Sequence, residues 1–222
     1  MTLRNRIIVT VSVIIVAAIA TALFLTNRSS PERTALPAPG ADAGDIGLLV
    51  RENSRRLNTV PDSDVTFVEF LDFECEGCGA LFPVIEQLRS EYGDRVNFVI
   101  RYFPLGGHFN AERAARAVEA AAQQDALEAM YTKMFKTQKE WGEQRVPADA
   151  TFRQFAADLG LDMAAFDAAY ADPATLERIR IDMADGRALG VTGTPTLFVN
   201  GERISPKSYE DLTSALDRQL QG

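Results

Sequence analysis

Residues 67–79 read FVEFLDFECEGCG and contain both cysteines of the 222-residue chain. The run from Val65 to Leu71 is β-branched and aromatic, which is typical of a buried strand. After Gly79, apolar residues recur at helical spacing, so the pattern changes from strand to helix at the cysteine pair. These apolar residues are Leu81, Val84, Ile85, Leu88 and Tyr92.

A Cys-x-x-Cys pair at the start of a helix indicates redox chemistry. The unsatisfied N–H groups and the dipole of the helix N-terminus favour the thiolate of Cys75 over its thiol. Cys78 follows about one turn later, where it can close a disulfide with Cys75 or resolve a mixed disulfide.

Zinc binding and a structural disulfide are the alternatives for this pair. A tetrahedral zinc site needs about four ligands, but the chain has two cysteines and one histidine, His108. A structural disulfide would close a very small loop and would remove little entropy from the unfolded chain. A redox pair is therefore the better interpretation, and we expect no metal and no cofactor besides the Cys75–Cys78 disulfide.

Composition and charge limit the partners. A hydrophobic fraction of 46% supports a packed core, and a net charge of −8 argues against nucleic acid. The sequence has no glycine-rich phosphate loop and no cluster of basic and aromatic residues.

The N-terminus predicts the compartment. Ile7–Leu25 is a run of 19 uncharged residues after Arg4 and Arg6, so we expect residues 1–28 to form a signal anchor with a transmembrane helix. A cleaved signal peptide is the alternative, with Ala18-Ile19-Ala20 as the cleavage site. In both cases the cysteines lie outside the cytoplasm, where disulfides persist. Residues 29–47, rich in Pro, Ala and Ser, are predicted to be a flexible linker.

The rest of the chain alternates strands and helices. Gly47–Arg51 is predicted to be a short first strand, and a long helical region separates two strand-containing halves. The further predicted elements are a strand at Val96–Tyr102, helices at 111–124, 126–139, 150–159, 163–170 and 173–189, strands at Thr196–Val199 and Glu202–Ile204, and a helix at Ser208–Leu220.

With these motifs in this order, the sequence resembles the thioredoxin superfamily, and within it the DsbA-like thiol-disulfide oxidoreductases. The shared motifs are the Cys-x-x-Cys stretch, the helical insertion, and GVTGTPTLFVNG at residues 190–201. The resemblance implies an α/β thioredoxin fold in residues 48–222, with a central mixed sheet flanked by helices. It also implies a helical insertion domain of about 80 residues, at about 108–189.

The resemblance also implies roles for individual residues. Cys75 would be the attacking thiol, Cys78 the resolving thiol, and Pro195 a cis-proline facing the disulfide. Glu69 falls where the family places a buried acid that relays protons, although an outward-facing strand glutamate is the alternative. Thr194, Glu76 and Gly77 are predicted to contact the substrate.

The chain departs from the best-known members between the cysteines, where Glu76-Gly77 replaces Pro-His. A carboxylate beside Cys75 should raise the pKa of its thiol relative to a histidine-bearing motif. We therefore expect a weaker oxidant than the strongest DsbA type. A Cys75 pKa near 3.5 would contradict this. Glu74 is expected to be solvated, and His108 to be a capping or packing residue.

These residues predict an extracytoplasmic dithiol oxidase, anchored in the cell membrane, that donates its Cys75–Cys78 disulfide to reduced exported proteins. The implied reoxidant is a membrane oxidase of the DsbB or vitamin K epoxide reductase-like type. An exported reductase or isomerase is one alternative. A peptide-binding or chaperone module with structural cysteines is another.

Overall fold

The computed structural model describes residues 47–221. Their centre is a five-stranded mixed sheet. The strands are β1 (Arg55–Arg56), β2 (Thr66–Leu71), β3 (Asn97–Tyr102), β4 (Thr196–Val199) and β5 (Glu202–Ile204). Their order in the sheet is β1-β3-β2-β4-β5. Strands β2 and β3 are parallel, and the other neighbouring strands are antiparallel.

Helices cover this sheet and form the insertion between β3 and β4. The first helix follows β2 directly and returns the chain to β3, which makes a βαβ unit. Five helices, α2 to α6, then lie between β3 and β4. The helices are α1 (Glu76–Tyr92), α2 (Ala111–Ala122), α3 (Leu127–Trp141), α4 (Asp149–Asp158), α5 (Met163–Ala171), α6 (Pro173–Ala188) and α7 (Tyr209–Leu220).

The predicted helix starts of the second half are confirmed by their capping contacts. Asp162 accepts from the backbone N–H groups of Ala164 and Ala165, and Asp172 accepts from that of Ala174. Ser208 forms a capping box with Asp211 at the start of α7. These side chains satisfy N–H groups that a helix N-terminus leaves without partners, so α5, α6 and α7 each begin directly after a capping residue.

The two faces of the sheet bury different residues because side chains alternate along β2. Phe67 and Leu71 belong to the large core shared with α1 and the insertion. Val68 and Phe70 belong to a smaller core on the opposite face, with Leu49 and Phe103. Both faces are therefore covered, and β2 is buried along most of its length.

The predicted first strand at Gly47–Arg51 is wrong. Residues 47–49 form a helical turn, and the first strand is β1. The carbonyl oxygens of Leu48 and Leu49 accept hydrogen bonds from the guanidinium of Arg101 at 2.6 and 2.5 Å. A buried side chain thus occupies these two acceptors, and no neighbouring strand is needed to satisfy them.

The predicted anchor at residues 1–28, and the linker up to residue 46, lie outside the described residues. Between residues 47 and 221, no helix is both long enough and apolar enough to span a bilayer.

Candidate redox site

The two cysteines occupy the first turn of α1. Cys75 is the N-cap residue of this helix, and no side chain caps the helix there. Cys75 is 9% exposed and Cys78 is 0% exposed, and both are free thiols. An incoming sulfur can therefore reach Cys75 but not Cys78.

The first turn stabilises the thiolate of Cys75. Its pKa is lowered to about 5, chiefly because the Cys78 thiol donates to it. The Thr194 hydroxyl and the backbone N–H groups of Cys78 and Gly77 lower this pKa further, against the opposing effect of burial. Burial raises the pKa of Cys78. The pKa values of the two thiols thus shift in opposite directions, and Cys75 ionises at a lower pH than Cys78.

The loop before β4 closes over Cys75. The Thr194–Pro195 peptide bond is cis, and the Cys75 thiol donates to the Thr194 carbonyl over 3.3 Å. A Cβ atom on Gly77 would lie 3.3 Å from Cδ of Pro195 and 3.6 Å from Sγ of Cys75. Gly77 thus lets the Cys-x-x-Cys turn approach this loop closely.

Thr194 offers a free donor at this contact. Its Oγ1 atom is buried and has no hydrogen-bond partner within the described part of the chain. A buried hydroxyl without a partner is costly, and the thiolate of Cys75 is the acceptor that it can satisfy.

Glu69 lies beneath the cysteines at the centre of the sheet. It pairs in register with Ile100 of β3 and Leu197 of β4, and it is 3% exposed. Burial, followed by the negative charge of Cys75, raises the pKa of Glu69 to about 8. Its charge in turn helps to raise the pKa of Cys78. Glu69 is therefore protonated at neutral pH on the face that holds Cys78, and the outward-facing alternative is wrong.

His108, which is partly exposed, pairs with the buried carboxyl of Asp72, a contact that the sequence did not indicate. Nδ1 of His108 lies 2.6 Å from Oδ2 of Asp72, which also accepts from the backbone N–H of Leu105. Burial alone would lower the pKa of His108, but the contact with Asp72 raises it. The other Asp72 oxygen accepts from the backbone N–H of Glu74 at 2.8 Å. This pair joins the loop after β3 to the residues immediately before Cys75.

Glu74 is not solvated as predicted. It is 1% exposed, and its Oε2 atom accepts from the backbone N–H of Asn110 at 2.5 Å. Asn110 lies directly before α2, so its N–H is not used within the helix and needs a side-chain acceptor. Glu74 therefore fixes the start of the insertion against the redox site.

Gln138 of α3 supports the Cys-x-x-Cys turn from below. Its Nε2 atom donates to the carbonyl oxygens of Phe73 at 2.7 Å and Cys75 at 2.9 Å. A Cβ atom on Gly79 would lie 2.0 Å from Oε1 of Gln138. The glycine after the second cysteine thus provides the space for this support.

We expect Gly79→Ala to destabilise the protein by about 1–3 kcal/mol, because the added methyl group displaces the Gln138 amide. Gln138→Ala alone removes the donor of two buried carbonyls and should cost about 1–3 kcal/mol. The double variant should lose less than the sum of the single losses, because the clash is absent without Gln138. Urea unfolding measures all three variants, and strict additivity would contradict this contact.

Glu76, which is predicted to contact the substrate, is exposed at the first position of α1, directly after Cys75. No group of three or more His, Cys, Asp or Glu side chains that could hold a metal occurs in residues 47–221.

Comparison with known sequences and structures agrees with this geometry. The profile of the thioredoxin family matches residues 60–218. A thioredoxin-like oxidoreductase from Silicibacter pomeroyi superposes with a TM-score of 0.66 at 27% identity, covering 82% of this chain and 99% of that one. The alpha-DsbA1 structure of Wolbachia pipientis superposes with a TM-score of 0.70 at 19% identity, covering 80% of this chain and 96% of its own.

Some curated relatives carry the name of a different activity. Na(+)/H(+) antiporter NhaA 3 of Salinispora tropica is 36% identical over 196 residues, which are 86% of this chain but 29% of the antiporter. Na(+)/H(+) antiporter NhaA of Herminiimonas arsenicoxydans is 34% identical over 167 residues, or 25% of its length. The chain thus spans less than a third of these relatives.

Proposed function

The chain belongs to the thioredoxin family, and from this premise we propose that it donates its Cys75–Cys78 disulfide to reduced exported proteins. Its fold and its neighbours support a thioredoxin-superfamily oxidoreductase. The observation that carries the direction of transfer is the low pKa of Cys75, about 5. A stabilised thiolate favours the reduced enzyme, which makes the disulfide a better oxidant.

The first chemical step follows from the difference in burial between Cys75 and Cys78. A substrate thiolate attacks Sγ of Cys75 in the disulfide, the Cys75–Cys78 bond breaks, and Cys78 leaves as a thiolate. Glu69, whose pKa is raised chiefly by burial, supplies the proton that Cys78 needs.

Substrate release is the second step. A second substrate thiolate attacks the substrate sulfur of the mixed disulfide, and Cys75 leaves as a thiolate. Two electrons have then passed from the substrate dithiol to the enzyme, which is left reduced. The low pKa of Cys75 makes it a good leaving group in this step.

We also propose a membrane location and a redox partner for the domain. The N-terminal apolar run would anchor the chain in the cell membrane with the thioredoxin domain on the extracytoplasmic side. A membrane oxidase of the DsbB or vitamin K epoxide reductase-like type would withdraw the two electrons again. Thr194 and Gly77 line the cis-proline contact at Cys75, where an extended substrate can pair with the backbone.

The test is the equilibrium reduction potential of the purified chain in glutathione buffers, together with its rate of oxidation of a reduced, unfolded protein. A potential of roughly −120 to −200 mV with catalysed oxidation supports a disulfide donor. A potential near or below about −270 mV would overturn the proposed direction and favour a reductase.

Thr194→Val should raise the pKa of Cys75, because the variant loses the hydroxyl that donates to the thiolate. Thiolate absorbance against pH measures this shift. The pKa of Cys75 is depressed on folding, so the thiolate stabilises the reduced protein above the unfolded thiol pKa, about 8.5, and this stabilisation is lost as pH falls through about 5.

The free energy of unfolding of the reduced form, relative to that of the oxidised form, should therefore increase from about pH 5 upwards. This increase should be smaller in Thr194→Val. Thr192→Val is the matched control, because Thr192 is exposed two residues earlier in the same loop. An equal shift of the Cys75 pKa in both variants would assign the effect to the loop rather than to the hydroxyl.

A further inference from the structure

A cleft of about 1110 Å³ lies beside the redox site, between the insertion and the end of the sheet. Its walls are the loop after β3, the start of α2, one face of α6, Asp149 of α4, Tyr170 of α5, and Val191 and Thr192. This cleft does not include either cysteine, and the chemistry described above does not use it.

Two walls of the cleft lead directly to Cys75. His108 lines the cleft and contacts Asp72, which is three residues before Cys75. Thr192 lines it as well and is two residues before Thr194, the acceptor of the Cys75 thiol. His108 and Thr192 thus connect the cleft to the residues that surround Cys75.

The floor of the cleft is apolar. Phe103, Ile179 and Val191 are buried, and Met183 and Leu105 are partly buried beside them. At the outer end, Phe109 is 42% exposed, one of two large apolar side chains exposed to this degree among residues 47–221. Apolar side chains of a bound segment would therefore lose water on entering the cleft.

The rim of the cleft is basic, although the protein is acidic. Four arginines and two carboxylates line the cleft, whereas the chain has a net charge of −8. Arg113 pairs with Asp149, and Arg116 with Glu112. The other two arginines at the rim are not paired with either of these carboxylates.

Arg180 and Arg187 are these two arginines. They lie seven residues apart, on the same face of α6, and both are exposed. Neither forms an ion pair or a side-chain hydrogen bond within residues 47–221. The guanidinium of Arg187 lies 5.9 Å from the ring centroid of Phe103, which holds this charge over the apolar floor.

We propose that this cleft binds an extended segment of the client polypeptide in which acidic side chains alternate with apolar ones, and that Arg180 and Arg187 select the acidic side chains. This inference rests on the proposed function, because the client is the protein whose thiols Cys75 oxidises. The net charge of −8 would by itself favour basic clients, so a preference for acidic clients distinguishes the cleft from the charge of the whole protein.

The test compares two dithiol peptides with the same apolar residues, one flanked by Asp and Glu and the other by Lys. The oxidised full chain should oxidise the acidic peptide about tenfold faster at low ionic strength, a ratio that corresponds to about 1.4 kcal/mol. Added salt should reduce the ratio, because the charges are at an exposed rim. Arg180→Glu/Arg187→Glu should abolish or reverse it.

Two controls keep the result specific. Lys207→Glu/Arg218→Glu changes the net charge equally at exposed positions near and in α7, and it should keep the preference for the acidic peptide. Reduction of the enzyme disulfide by dithiothreitol should be equal in all three proteins. Equal rates for the two peptides in the unaltered chain, or equal losses in both double variants, would overturn the proposal.

Binding is measured separately from disulfide transfer. Peptides with serine in place of cysteine, followed by fluorescence anisotropy, report the cleft even if no disulfide is transferred. If disulfide transfer fails but the acidic peptide is still preferred in binding, the proposed function is rejected and the proposed role of the cleft in peptide binding is retained. Binding of anionic phospholipid vesicles that needs both arginines, without binding of the acidic peptide, would replace the client by a membrane surface and overturn the proposal.

Discussion

Cys75→Ser is expected to lower the rate of disulfide transfer to a reduced, unfolded protein by a factor on the order of 10³ or more. Cys75, which is 9% exposed, is the cysteine that a substrate can reach, since Cys78 is 0% exposed. Serine has no sulfur to form the mixed disulfide, and Cys78 cannot replace it from inside the core. The measurement is the rate of thiol loss in the test protein at equal enzyme concentrations.

Cys78→Ser is the matched control for this prediction. It retains Cys75, and it lacks the buried sulfur that resolves a mixed disulfide. The variant should trap a covalent adduct with a substrate disulfide, visible by non-reducing electrophoresis, whereas Cys75→Ser should trap none. Adducts formed equally by both variants, or full activity in Cys75→Ser, would reject Cys75 as the attacking thiol.

Arg101→Met should lower the free energy of unfolding by about 3 kcal/mol, the low end of the loss on breaking a buried ion pair. The loss is at the low end because Asp182 keeps Arg178 and Asp185 keeps Arg51 as partners. Arg101 is 0% exposed. It donates to Asp182 at 2.6 Å and to Asp185 at 2.5 Å on α6. The same guanidinium holds the carbonyl oxygens of Leu48 and Leu49, so the variant loosens the N-terminal segment as well.

Urea unfolding followed by fluorescence tests this prediction. Trp141, the single tryptophan of the chain, is 2% exposed and reports the loss of the core. Arg153→Met is the control, because Arg153 pairs with Asp167 at the surface, where an ion pair contributes about 0–1 kcal/mol. Similar losses in the two variants would mean that the cluster around Arg101 contributes little.

Four of the five strands, and the helices, were predictable because they depend on neighbouring residues. The change from β2 to α1 at Cys75, and the starts of α5, α6 and α7 after Asp162, Asp172 and Ser208, each follow from a few adjacent positions. The mixed sheet followed from the order of these elements and from the family resemblance.

The support of the redox site was not predictable, because it joins residues far apart in sequence. Asp72 and His108 are 36 positions apart, as are Glu74 and Asn110, and Gln138 is 65 positions from Phe73. No local pattern connects such pairs. The face of Glu69 was undetermined for a related reason, since helices cover both sides of the sheet, and the roles assigned to Glu69, Thr194 and Glu76 stay predictions.

The hydrogen bonds of Gln138 also set an order of events during synthesis. The carbonyl oxygens of Phe73 and Cys75 find their donor 65 and 63 residues later in the chain. A nascent chain that has emerged only as far as β3 therefore contains both cysteines but lacks this brace. The turn that holds the two thiols is therefore braced only after the middle of the insertion has docked against it.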